Sequence, residues 1–144
     1  MTAVLEAREA EPRDAAFGLG LRAYLAEVAE AFGVGLESCT METEPRASAY
    51  VALDWRPAGL PDREMALLWD EVRGWSVVAE FSGPGRDGDS VVLAVLGGDV
   101  LAPAADVAAA TADVRDGRPP RPLPVPPAVP LTERLRVRPP GGGV

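Results

Sequence analysis

Residues 65–81, MALLWDEVRGWSVVAEF, constrain the fold of this chain more than any other stretch. Two apolar-rich runs flank a single glycine, and an extended chain with a period of two sends alternate side chains to one face of a sheet. Gly74 can supply the positive φ that follows a type I turn over Glu71-Val72-Arg73, so the segment predicts a three-residue hairpin with a glycine bulge. The expected register sets Glu71 opposite Trp75, Trp69 opposite Val77, Leu67 opposite Ala79 and Met65 opposite Phe81. Both tryptophans then join one apolar strip, while Asp70 and Glu71 sit at the wet end of the hairpin. The crowd of tryptophans, acids and arginine is read as turn chemistry and core packing.

Around this hairpin the hydrophobic pattern supplies the other elements. From Asp14, a candidate N-cap, apolar residues recur at Phe17, Leu21, Tyr24, Leu25, Val28 and Phe32, the spacing of one helical face, and Gly33 and Gly35 stop it. Val51, Leu53 and Trp55 alternate with Tyr50, Ala52 and Asp54 as in a half-buried strand, and residues 36–43 form a weaker strand candidate. The run VVLAVLGG, continuous and β-branched, is expected to be a central strand buried on both faces. Pro103 opens an alanine-rich stretch with Val107, Ala110 and Val114 in helical phase. Helix, four or five strands, helix with short connections predicts an α+β two-layer sandwich, an antiparallel meander sheet with both helices packed on it.

Composition changes after residue 114. Residues 115–144 hold nine of the chain's fifteen prolines and end in GGGV, so they are expected to form an extended or disordered tail, with LTERLRVR able to dock when a partner is present. Residues 1–13 are expected to be a flexible lead-in and residues 14–114 the globular domain. Charge divides at the same boundary. Residues 1–114 carry eight arginines against twenty acids, a net of −12, and residues 115–144 carry six arginines against two acids, a net of +4. An acidic body repels phosphate backbones, so the folded part is not expected to bind nucleic acid.

Missing residue types remove chemistry. The chain lacks His and Lys and has one cysteine, Cys39, so imidazole bases, Schiff bases, a P-loop lysine and a thiolate zinc site are excluded, as is an internal disulfide. No cofactor and no metal site are expected. The N-terminal stretch is acidic and lacks a signal-peptide pattern, and no apolar run reaches membrane-spanning length, so the expectation is a cytoplasmic protein.

Several motifs have mundane readings. Gly83, Gly85 and Gly88 satisfy G-x-G-x-x-G but lead into a strand rather than a helix, which makes them a loop. Gly18 and Gly20 have no preceding strand, and Asp87 and Asp89 lack the order of a calcium loop. Cys39 is expected to be a small buried hydrophobe. Asp54 and Glu80 are the candidate catalytic pair, with Tyr50 beside them, if the strands bring them to one face; a solvated sheet face is the competing explanation. Arg121, Pro124 and Pro127 have the R-x-x-P-x-x-P form of a proline-rich ligand and are the candidate partner-binding residues.

The segments AYVALD, PDREMALLWDEVRGWSVVAE and VVLAVLGGDVLAPAADVA resemble a family of small uncharacterised actinobacterial proteins of unknown function, over roughly residues 20–112. The resemblance implies a compact cytoplasmic domain and transfers no catalytic residues; where many such relatives have His, this chain has Arg73. Three functions remain open. The first is a non-enzymatic binding or adaptor domain that recognises a protein partner or small ligand, with self-association as one form. The second is a small-molecule enzyme using Asp54 and Glu80, and the third a regulatory partner acting through the arginine-rich tail.

Overall fold

The computed structural model describes residues 15–81 and 90–136. Asp14, the lead-in at 1–13, the glycines and acids between 82 and 89, and the tail from 137 on lie outside the described residues. The chain runs α1 (Ala15–Phe32), a short 3-10 turn, β1 (Cys39–Glu42), β2 (Ser48–Ala52), β3 (Arg63–Asp70), β4 (Gly74–Phe81), β5 (Ser90–Val95), α2 (Ala104–Arg115) and α3 (Leu131–Arg136). The five strands form one antiparallel sheet in the order β1-β2-β3-β4-β5, the expected meander, and the helices share one face in an α+β two-layer arrangement.

Side-chain alternation sorts the two faces. Val51, Met65, Leu67, Trp69, Trp75 and Val77 point into the core against Phe17, Leu21, Tyr24, Leu25 and Val28 of α1, all nearly or fully buried. Each such side chain removed from water contributes ~1.5–3 kcal/mol, which is why the helical stripe and the hairpin strip locate each other. The buried polar atoms within this layer are paired. Trp75 Nε1 donates to the Tyr24 hydroxyl at 3.0 Å, Tyr24 donates to the carbonyl of Ala102 at 2.6 Å, and Trp69 Nε1 donates to the carbonyl of Val100 at 2.7 Å.

The hairpin closes on Gly74 at φ 75°, as its sequence requires, but the register differs by two residues from expectation. Trp69 faces Trp75, Leu67 faces Val77 and Met65 faces Ala79, with Asp70 paired to Gly74. A slip of two preserves the face of every side chain, so the buried strip survives. The turn acids serve the backbone: Asp70 Oδ1 accepts from the N–H groups of Val72 and Arg73, and Glu71 Oε1 accepts from Ala47 N–H.

Two expectations are corrected. β5 is an edge strand and not a central one; Val91, Val92 and Val95 are 47%, 59% and 59% exposed. A register shift opposite Val77 and Val78 inserts Leu93 into β5, so Leu93 and Ala94 pack toward the core while Val92 and Val95 share the opposite face. The second correction concerns the proline-rich segment, which is not a free appendage through residue 136. Leu123 and Leu135 are buried in the core, and LTERLR is the helix α3, seated on α1 of its own chain. The proline composition forbids regular ladders but not docking of single side chains.

Candidate functional site

No helix among the described residues covers the second face of the sheet. Thr40, Ser48, Tyr50, Leu68, Ser76, Val92 and Val95 line a groove of about 550 Å³ there, with Asp70 and Arg73 at the hairpin end. Leu68, within the groove, is 40% exposed, and Ala66 and Val78, elsewhere on the same face, are buried. Glu42 lies at the β1 end of the groove and is exposed. The groove therefore combines the apolar side chains of Leu68, Val92 and Val95 with polar ones of mixed charge.

Of the predicted catalytic set, the structure joins Tyr50 and Glu80. The Tyr50 hydroxyl donates to Glu80 Oε1 at 2.8 Å across three strands. Burial pushes the phenol up to about 12, and the hydrogen bond and negative charge of Glu80 act in the same direction. Such a phenol stays protonated and serves as a donor, not a base. Asp54 takes no part in this contact; it is exposed at the bend after β2. Glu64 faces Glu80 across the β3–β4 pair and is bridged by Arg56 at 3.5 Å.

Cys39 is half-buried in β1, its thiol directed at the carbonyl of Gly35 at 3.8 Å. Burial, with Glu37 nearby, pushes the thiol up, away from the thiolate form.

Of the predicted partner-binding residues, Arg121 and Pro124 are engaged within the chain. Arg121 is held by Asp113 of α2, through Nε to Oδ2 at 2.8 Å, Nη2 to Oδ1 at 2.9 Å and the backbone N–H to Oδ2 at 3.0 Å. Arg121, together with Arg118, holds the Asp113 carboxyl far below the usual carboxylate range. Pro124 is exposed but its carbonyl accepts from Asp99 N–H at 2.8 Å, and Pro127 is exposed. A second clasp, which sequence reasoning missed, joins Arg134 of α3 to both oxygens of Asp99 at 2.7 and 2.9 Å. Burial opposes ionisation of Asp99, yet the hydrogen bonds from Arg134 and Leu101 N–H outweigh it and hold the carboxyl below its ordinary value. The only hint in the sequence was the switch from an acidic body to a basic tail at residue 115.

No helix among the described residues is long and apolar enough to cross a membrane. Residues 24–113 match the profile of a family of unknown function (DUF6292). Searches of curated proteins and of solved structures return no match.

Proposed function

The chain belongs to the DUF6292 family, and from its geometry we propose that it is a non-enzymatic binding domain that recognises a protein partner through the sheet face that no described helix covers. The observation that carries this reading is the presence of Leu68, Val92 and Val95, exposed apolar side chains from β3 and β5, along one groove. Exposed apolar side chains gathered in this way cost free energy in water and are characteristic of surfaces that bind another molecule. Ser76 lies between Leu68 and Val95, and the polar margin of Ser48, Thr40 and Asp70 suits the rim of such an interface. The bulge in β5 twists that edge, so the partner is read as lying across the face instead of extending the sheet.

Catalysis by Asp54 and Glu80 finds less support. Glu80 is already the acceptor of a phenol that holds its proton, and Asp54 is solvated at a bend. The single half-buried thiol fits a reducing, cytosolic setting.

Selection of a displayed random-peptide library on the full chain, with Leu68→Glu/Val92→Glu as the counter-target, tests the proposal. Enrichment of sequences that bind the native chain and lose the double variant is expected. Enrichment that ignores the two substitutions, or none at all while the variant keeps its melting temperature, refutes it.

A further inference from the structure

Residues 118–136 lie on the helical side of the body in the way a recognised peptide lies on its receptor. The backbone of the segment is read by a hydrogen bond from Asp99 N–H to the carbonyl of Pro124. Glycines allow the close approach: a Cβ on Gly98 would stand 2.8 Å from Leu123 Cβ, and one on Gly20 would collide with the carbonyl of Leu135. Leu123 and Leu135 fill apolar sockets, 7% and 0% exposed. Asp113 and Asp99 grip Arg121 and Arg134, each through two guanidinium nitrogens. Between Pro124 and α3 the segment stands clear, with Val125 86% exposed.

The receptor half of this arrangement belongs to the body. Asp99 and Asp113 are 5% and 4% exposed, and among the described residues every cation paired with either comes from the tail: Arg118, Arg121 and Arg134. A fold that needed only to cover this surface would be served as well by apolar side chains, because desolvating an ion pair offsets much of its attraction. What a paired carboxylate adds is selectivity for the flat, forked guanidinium. The acidic body draws arginine-bearing segments from solution and repels another acidic body.

We propose that Asp99 and Asp113, with the Leu123 and Leu135 sockets, form a docking site for an arginine-bearing, proline-rich extended segment of a partner protein, and that residues 118–136 are its resident competitor. The site is on the opposite side of the molecule from the open sheet face. It stands or falls separately from the function proposed above.

The probe is a fluorescent peptide of residues 117–136, titrated into the full-length chain and into full-length Arg121→Ala/Arg134→Ala. Weakening the resident segment raises the fraction of open sites, so the variant is expected to bind the peptide at least roughly tenfold more tightly than the native chain. A peptide carrying the same two alanines is expected to bind neither chain. Failure of the native peptide to enter the folded variant, judged by circular dichroism, overturns the proposal. So does a doubling of the variant's mass in light scattering, which would assign the vacated site to the tail of a second copy. Should the alanine variant not fold, Arg121→Lys/Arg134→Lys retains charge without the fork and is expected to give a smaller gain. No gain from a folded lysine variant refutes the idea equally.

Discussion

Removing one oxygen atom from the centre of the protein, by Tyr24→Phe, is expected to destabilise it more than loss of a single hydrogen bond would suggest. The hydroxyl relays two bonds, accepting from Trp75 Nε1 and donating to the Ala102 carbonyl, and Tyr24, Trp75 and Ala102 are all 0% exposed. The phenyl ring stays in place, so little apolar burial is lost. Instead a donor and an acceptor are stranded away from water, each at ~1–3 kcal/mol, for a total of about 2–6 kcal/mol. Against a typical stability of about 5–15 kcal/mol that is a large fraction. Trp75→Phe removes the stranded donor itself, so Tyr24→Phe/Trp75→Phe is expected to cost about 1–2 kcal/mol less than the sum of the two single variants. Urea unfolding followed by far-ultraviolet circular dichroism measures all three without relying on Trp75 as a probe. A loss below about 0.5 kcal/mol for Tyr24→Phe, or strict additivity in the cycle, would show that the relay does not exist as described.

The Tyr50–Glu80 bond can be watched by its titration. Glu80→Gln is expected to lower the Tyr50 transition from about 12 toward the ordinary 10.0, only part of the way because burial is the larger cause, in an ultraviolet titration with Tyr50→Phe to assign the signal. Since the folded value lies above the unfolded one, the associated stability is complete below the unfolded value near 10 and lost as pH rises through the folded value; an unchanged transition in Glu80→Gln argues against the bond. Gly20→Ala must displace the backbone of α3, and tryptic cleavage after Arg134 is expected to accelerate by roughly tenfold while the body stays folded. Arg118 and Arg121 precede prolines and are silent to trypsin, so equal cleavage in both chains would leave the tight α1–α3 contact without support.

How much was legible from residues alone depended on the range of the interaction. The α1 stripe from Phe17 to Phe32 and the tryptophan strip of the hairpin obey periods of 3.6 and two, and both emerged with the expected buried side chains except Phe81, which is half-buried beneath Arg63. The hairpin register slipped by two because turn chemistry identifies the bend at Gly74 but not which residue pair closes it. β5 was misplaced for a related reason: an uninterrupted apolar run signals burial on both faces only when both are covered, and the inserted Leu93 hides the alternation. Tyr50 and Glu80, both predicted to lie on the less apolar face, meet there; Asp54, just beyond the end of β2, does not. The clasp between Asp99 and Arg134 spans 35 residues, and neither partner announces the other. Composition could show only that opposite charges were segregated along the chain.

The strictly sequential order of the sheet has a consequence for how this architecture tolerates change in length. Each inner strand is hydrogen-bonded to the strands just before and after it, and each edge strand to its one sequential neighbour, so every pairing joins strands adjacent along the chain. Lengthening a connection therefore adds only slowly growing loop entropy, about 0.6 kcal/mol per doubling, and leaves the pairings on both sides untouched. The same architecture can carry longer or shorter bends without redrawing its wiring.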